Sequence, residues 1–521
     1  MSLVVGLDVG TQSVKLVAYD FAAGNVVATH SQALDLIARD DGTREQHAQW
    51  WLDAIRACFA KLDAEQRSRV VAIGVSGQQH GFVPVDAAGR VLATVKLWCD
   101  TSTQAECDAV MAAAGGPHEC VRAAGNPVLV GYTASKLPWT RKHRPEAYER
   151  MAAILLPHDY VNFWLTGERW MECGDASGTG WFDVRHRRWS SAMLAATDGE
   201  RDLSGLLPPL VAADASFPIS PATAAELGLP PGAIVSAGGG DNMMSAIGTG
   251  NVESGMLTLS LGTSGTLFGH ADRAVVDDAA GWAAFCSSTG AWLPLICTMN
   301  CAGATDGVAR AFGFAAREGE ALMAQTQPGA GGVVMLPFFN GERTPNLPSA
   351  RASLHGMDFH NFARANLYRA AMEGATYALR NGFDALERAG MDFTEIRLTG
   401  GGSRSAAWRQ LVADVFALPV AIPQQTESAA LGAALQAAWA HARAGGDAIG
   451  IAEIARRHVR CDPALSAQPV DCAAYAAPYR KFMRHLEAAQ DFYASRDAAG
   501  HARGRPQSHN FSCDRQQRSR P

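Results

Sequence analysis

Three short apolar runs open the chain, over 3–7, 14–19 and 26–34, each closed by turn residues; they predict three strands in series. Ala23-Gly24-Asn25 predicts a hairpin between the second and third. The spacing then changes. Trp51, Ile55, Cys58, Phe59 and Leu62 fall at helical intervals, which predicts an amphipathic helix over 48–62, and the run 70–75 predicts a short buried strand. Three antiparallel strands, a helix and a further strand make a mixed α/β lobe. The middle of the chain starts the same way, with strands expected over 255–261, 266–270, 282–287 and 292–298. A long helical run at 367–389 leads to a strand at 395–398, a helix from near Ser405 and an alanine-rich helix from near Ser428. The pattern predicts an N-terminal lobe over 1–250 and a C-terminal lobe over 251–495, with the boundary between Gly248 and Ser254. Beyond 496 it lapses: six arginines, two aspartates and almost no apolar side chain besides Phe511 predict a disordered basic tail to 521.

Composition narrows the partners. With 521 residues, 48% apolar and 18% charged, the chain is a packed globular protein of more than one domain. Its 45 basic and 51 acidic residues give no reason to expect nucleic acid. No apolar run approaches the roughly 20 residues that span a bilayer, and Asp8 interrupts the first one, which reads as a buried strand rather than a signal peptide. The 11 cysteines contain no Cys-x-x-Cys, and no second pair of ligands matches Cys297 and Cys301. Reduced thiols in a cytoplasmic protein are expected, not a zinc site.

The candidate chemistry lies in turns. Asp8-Val9-Gly10-Thr11-Gln12-Ser13 and Leu261-Gly262-Thr263-Ser264-Gly265 each stop one strand and begin the next. Such turns expose backbone N–H groups and hydroxyls that suit phosphate oxygens. One per half predicts two lobes gripping a nucleoside triphosphate, with Thr11, Gln12 and Ser13 on one side and Gly262, Thr263 and Ser264 on the other. No Gly-x-x-x-x-Gly-Lys-Ser/Thr is present, which disfavours a P-loop. Asp8, beside the first turn, is placed either to hold Mg²⁺ or to bond its own backbone. Asp241 follows Gly238-Gly239-Gly240. Its carboxylate is placed either to take a proton from an attacking hydroxyl or to cap a helix starting at Asn242. Gly400-Gly401-Gly402 is either a close-packed loop or a bare seat for adenosine.

These motifs resemble the FGGY carbohydrate kinases, within the actin-like ATPase superfamily. Leu354-x-Gly356-Met357, Asn366-Leu367 and Ala370-Ala371-Met372-Glu373 are similar to that family's C-terminal signature, and Gly131-Tyr132-Thr133 with Lys136-Leu137-x-Trp139 to its N-terminal one, from which Thr140 departs. Within the family the nearest likeness is to members that phosphorylate D-xylulose. It rests on Gly77-Gln78-Gln79-His80-Gly81, Leu97-Trp98-Cys99-Asp100, Leu156-Pro157-His158-Asp159-Tyr160 and Gly341-Glu342-Arg343-Thr344-Pro345, and the likeness as a whole covers about 3–490. The resemblance implies two ribonuclease H-like lobes with a nucleotide and sugar cleft between them, and MgATP as phosphoryl donor. It implies Asp241 as general base, Asp8 at the metal and Gly400, Gly401 and Gly402 at adenosine. The sugar falls to Gln79, His80, Trp98 and Asp100, with Glu342 and Arg343 left outside the site. A homodimer is expected. Two alternatives stay open: the same reaction on ribulose, gluconate, fuculose or glycerol, and an actin-like ATPase without sugar kinase activity. A sugar-sensing pseudokinase would show a broken catalytic carboxylate, and Asp241 is intact.

Overall fold

The computed structural model describes residues 2–279, 281–315 and 318–502 and contains two seven-stranded sheets built on one plan. The first sheet starts with β1 (Leu3–Val9), β2 (Ser13–Asp20) and β3 (Asn25–Ala33); α1 (Ala48–Ala60) then carries the chain to β4 (Val70–Gly77). β2 runs antiparallel to β1, β3 antiparallel to β2, and β4 parallel to β1 on its other side. Two helices, α2 (Pro157–Thr166) and α3 (Cys173–Ala176), precede β5 (Ser216–Pro218) and β6 (Ile234–Ser236). The two-residue β7 (Gly239–Gly240) pairs with the end of β4 and leads directly into α4 (Asp241–Thr249). The strand order is β5-β6-β4-β1-β2-β3.

The second sheet comprises β8 (Gly255–Leu261), β9 (Gly265–Gly269), β10 (Ala283–Cys286) and β11 (Trp292–Thr298), then, after α5 (Arg364–Arg388), β12 (Phe393–Thr399), after α6 (Ala406–Phe416), β13 (Val420–Pro423), and last β14 (Cys461–Ala467), which lies antiparallel to β13 on the far edge. β9 is antiparallel to β8, β11 antiparallel to β9, β12 parallel to β8 and β13 parallel to β12. That repeats the pairing of β1, β2, β3, β4 and β6. The third place belongs to β11, because β10 sits outside it on the sheet edge.

Burial explains the patterns. β1 reads as a nearly unbroken apolar run because it is covered on both faces. The predicted stripe of α1 is its buried face: Trp51, Ile55, Cys58 and Phe59 are buried there. Full burial of each such side chain is worth about 1.5–3 kcal/mol.

The alanine-rich α7 (Ser428–Ala444) departs from the simple division at 250. It packs on β1, β4 and α4, in one core with Val4, Val17, Ala72, Met244 and Ile247, so by packing it belongs to the first lobe. Its small side chains let its backbone lie on the sheet. A Cβ on Gly6 would fall 1.8 Å from the Ala430 carbonyl oxygen, and one on Gly74 2.0 Å from that of Ala433.

The last helix, α8, spans Cys472–Ala502, so 496–502 continues a helix where disorder was expected; 503–521 lies outside the described residues. No helix among the described residues is long and apolar enough to cross a membrane. All ten cysteines in the described part are free.

Candidate active site

The two Gly-hydroxyl turns are built alike. A Cβ on Gly10 would meet the Ser13 carbonyl oxygen at 3.3 Å, and one on Gly262 the Ser264 carbonyl oxygen at 3.2 Å. The second turn is pinned by Ala302 N–H to Gly262 O and Cys301 N–H to Thr263 O, both 2.9 Å. Gly400 ends β12 with φ +81°, and a Cβ there would lie 2.7 Å from the carbonyl carbon and oxygen of Leu261. The triple glycine is therefore stacked on the residue that precedes Gly262. A Cβ on Gly401 would meet nothing within 4 Å, leaving bare backbone open to a flat ligand. In the first turn the Thr11 hydroxyl donates to Gln78 Oε1 and accepts from Trp98 Nε1, each at 3.0 Å. Its proton is thus engaged within the protein, and the turn's remaining donors are backbone amides, Gln12 and Ser13.

A cavity of about 290 Å³ lies between the lobes. Gln79, His80, Trp98, Asp241 and Asn242 line it from the first lobe, and Ser264, Thr266 and Arg343 from the second. Asp241 is the first residue of α4, so the helix starts one residue earlier than the capping alternative requires. Its Oδ1 accepts from Asn242 N at 2.8 Å and Asn242 Nδ2 at 3.1 Å, and the same Nδ2 donates to Gln79 Oε1 at 2.9 Å. Burial, then the nearby Asp8 and Asp175 carboxylates, pushes the Asp241 carboxyl up to about 7. The glycine run before it is held from α7: Gln436 Oε1 accepts from Gly238 N at 2.9 Å and its Nε2 donates to Gly238 O at 3.0 Å.

His80 has φ +65°, a strained left-handed backbone for a residue with a side chain. Lys136 Nζ and the Thr133 hydroxyl hold that turn by donating to the His80 carbonyl at 2.6 and 3.2 Å. The imidazole stacks on Tyr132, centroids 4.5 Å apart, and Nδ1 lies 2.6 Å from the Gly178 carbonyl oxygen. Burial, with the charges of Lys136 and Arg343, lowers it to about 3. The ring is neutral; with its proton on Nδ1, facing the carbonyl, Nε2 is left as an acceptor. Residues of the N-terminal signature, Tyr132 and Lys136, thus serve to seat His80.

Asp100 is corrected. It does not line the cavity. Its buried Oδ2 accepts from Arg44 N at 2.8 Å and Lys96 Nζ at 3.2 Å, and its Oδ1 from Ser102 N and Oγ at 3.0 and 2.6 Å. Lys96 reaches Glu45 on its other side at 3.2 Å. Asp100 folds the turn that presents Trp98. Arg343, left outside by the sequence reading, lies on the cavity wall. Asn242 and Gln436 also went unassigned: one lies inside a glycine-rich motif, and the other sits on a helix almost 200 residues away from what it holds.

Beneath Gln79 lies a buried charged cluster. His158 stands between two carboxylates, Nδ1 at 2.7 Å from Asp175 Oδ2 and Nε2 at 2.9 Å from Asp159 Oδ1. Although burial opposes it, the two anions hold the imidazole well above its usual range. Asp175 reaches the floor of the site: a Cβ on Gly240 would fall 3.0 Å from its Oδ1 and 2.8 Å from Gln79 Cγ.

Asp8 accepts from Ser76 Oγ at 3.0 Å, and the Lys15–Glu427 ion pair lies near enough to act on its charge. Burial pushes its carboxyl up. No group of three or more His, Cys, Asp or Glu among the described residues could cage a metal. A single carboxylate beside a phosphate turn fits Mg²⁺, which keeps water and substrate phosphates as most of its ligands.

Comparison with known proteins gives the family. Residues 3–248 match the N-terminal domain, and 257–441 the C-terminal domain, of the FGGY family of carbohydrate kinases. A protein named xylulose kinase from Haemophilus influenzae is 42% identical over 445 residues, 84% of this chain and 90% of that one. The solved structure of a xyloylose kinase from Brucella ovis superposes with a TM-score of 0.87 at 31% identity, covering 94% of this chain and all of that one. A gluconate kinase from Lactobacillus acidophilus reaches 0.86 at 22% identity, over 95% of this chain and 99% of that one, so the fold alone does not choose the sugar. With both domain models matched across most of its length, the chain belongs to the FGGY family of carbohydrate kinases.

Proposed function

We propose that this carbohydrate kinase transfers the γ-phosphoryl group of ATP to the terminal hydroxyl of D-xylulose, giving D-xylulose 5-phosphate and ADP. The relatives named xylulose kinase support the choice of sugar. One observation carries the mechanism: Asp241, pushed up to about 7, shares a cavity with Gln79 and His80 on one side and Ser264 on the other. A base of that strength accepts a proton near neutral pH as the alcohol attacks phosphorus.

In this reading Asn242 fixes the Asp241 carboxylate, and His80 Nε2 accepts from a sugar hydroxyl. Amides and hydroxyls of the two turns hold the β- and γ-phosphates, and Gly400 to Gly402 carry adenosine. Asp8 would hold Mg²⁺, which would supply neutralisation of phosphate charge. Closure of the lobes excludes water, a competing acceptor.

The test is ADP release with D-xylulose, ribulose, gluconate, fuculose, glycerol or no sugar, for wild type and Asp241→Asn. Xylulose should give the highest turnover, lost in the variant. Equal ADP release without sugar would overturn the kinase mechanism, and a better sugar would overturn the substrate.

A further inference from the structure

Arg343 lines the proposed sugar cavity from the second lobe, with no counter-ion among the described residues. Its neighbour Glu342 is buried and turned away: the Glu342 carboxylate accepts from Met299 N at 2.6 Å, Arg343 N at 2.7 Å and Asn300 Nδ2 at 3.2 Å. Reciprocal 2.9 Å backbone bonds between Glu342 and Leu347 close the loop. The loop is therefore pinned to the end of β11 by groups other than the guanidinium. Among the described residues no carboxylate pairs with Arg343, and its hydrogen-bond partner is Cys297 Sγ at 3.6 Å. Its charge falls instead on His80 and Tyr132, across the cavity in the first lobe.

A guanidinium facing a low-dielectric cavity gains most from an anion, which its planar fork holds through two oxygens. Xylulose is neutral. The reaction brings one anionic group to this cavity: the phosphoryl group, entering past Ser264 and leaving as a phosphate ester. Ser264, Thr266 and Arg343 belong to the same lobe, so the turn and the cation move together when the lobes close.

We propose that Arg343 is a catalytic residue of this kinase, taking the phosphoryl oxygens during transfer and the phosphate of the product afterwards. This rests on the sugar-kinase reading above. As the sugar oxygen bonds to the γ-phosphorus, its proton passes to Asp241; the bond from that phosphorus to the β,γ-bridging oxygen breaks, and its electron pair leaves with ADP. Arg343 transfers no proton. It balances the charge spread over the three equatorial oxygens, a stabilisation worth about 10²–10³-fold when one such donor is removed.

The experiment compares wild type, Arg343→Met and Arg343→Lys in three measurements: steady-state rates, calorimetric binding of D-xylulose alone, and calorimetric binding of D-xylulose 5-phosphate. In Arg343→Met, kcat should fall about 100-fold or more, the product should bind roughly tenfold more weakly, and xylulose affinity should stay within about threefold of wild type. Arg343→Lys should recover part of kcat. Melting temperatures should match, since the guanidinium does not hold the loop. Weaker xylulose binding with kcat preserved would overturn the proposal and make Arg343 a reader of sugar hydroxyls. Unchanged rates and affinities would overturn it outright. If wild type prefers another neutral sugar, only the substrate reading fails, and the comparison is then run with that sugar and its phosphate; a preference for gluconate would overturn the proposal, because the substrate carboxylate would then be the anion that Arg343 takes.

Discussion

Gly248 and Gly432 lie back to back where α4 crosses α7. A Cβ on Gly432 would stand 1.8 Å from the Met244 carbonyl oxygen and 2.8 Å from Gly248 N; one on Gly248 would stand 1.9 Å from the Ser428 carbonyl oxygen and 2.9 Å from Gly432 N. Asp241 heads α4, so this contact of backbone on backbone sets the height of the proposed base above the sheet. Gly432→Ala cannot be absorbed by a side-chain rotation. It should cost about 3 kcal/mol or more by urea denaturation, the upper end for overpacking. Among molecules that still fold, kcat should fall more than the sugar KM rises. Gly232→Ala, whose Cβ meets nothing within 4 Å, is the control and should stay within about 0.5 kcal/mol.

The pH dependence has a defined sign. As the proposed base, Asp241 must be ionised to accept a proton, and with its carboxyl at about 7 the rate should fall as pH drops through neutrality. Asp175 is one of the charges that raise it. Asp175→Asn removes that charge and leaves an oxygen to accept from His158, so the Asp241 carboxyl should move down. The acidic limb of kcat/KM should then shift to lower pH, with little change on the alkaline plateau. An unmoved limb accompanied by a uniform loss of rate would mean that Asp175 acts only through packing.

The paired turns were legible in the sequence because each is local: a strand, a glycine, two hydroxyls and another strand lie within ten residues. The series of strands around each turn was legible with them, but not the order in which they pair: β10 lies outside the repeat. What the sequence hid depends on distance. An alanine-rich helix carries no periodicity that says which sheet it lies on, so the return of α7 to the first lobe could not be read. The glycines along this contact, Gly432 on α7 and Gly6, Gly74 and Gly248 on β1, β4 and α4, become informative only once they are seen to meet it. Trp98 and Asp100 are two residues apart yet face opposite ways, one into the cavity and one into a buried ion cluster. Nothing in Leu97-Trp98-Cys99-Asp100 separates them. Arg343 was hidden for the opposite reason: a charged pair in a loop reads as solvated, and only the facing lobe shows where the arginine points.

The correction at Asp100 makes its own prediction. Asp100→Asn leaves Glu45 as the carboxylate facing Lys96, whose ammonium keeps the Ser102 hydroxyl and the Trp139 ring, and weakens the acceptors for Arg44 N and Ser102. Breaking a buried ion pair costs about 3–5 kcal/mol, and the surviving Glu45 partner should hold the loss to about 2–3 kcal/mol, read as a lower denaturant midpoint. Xylulose KM should hold near wild type at a temperature where the variant is folded. A large rise in KM without loss of stability would return Asp100 to the sugar site.

Trp98 joins the proposed sugar and phosphate regions: its indole lines the cavity while its Nε1 donates to Thr11 in the first turn. Trp98→Phe keeps an aromatic wall and removes only that hydrogen bond, worth about 0.5–1.5 kcal/mol, or roughly two- to tenfold in affinity. If the bond holds the turn in its phosphate-binding shape, the KM for ATP should rise by that factor, although the changed ring faces the sugar. If only the sugar KM responds, the Thr11 hydroxyl is being positioned by Gln78 alone and the indole is simply a wall. Thr11→Val separates the cases further, because it deletes both hydrogen bonds at once. Its ATP KM should exceed that of Trp98→Phe when the two bonds share the task, and should equal it when Trp98 alone sets the turn.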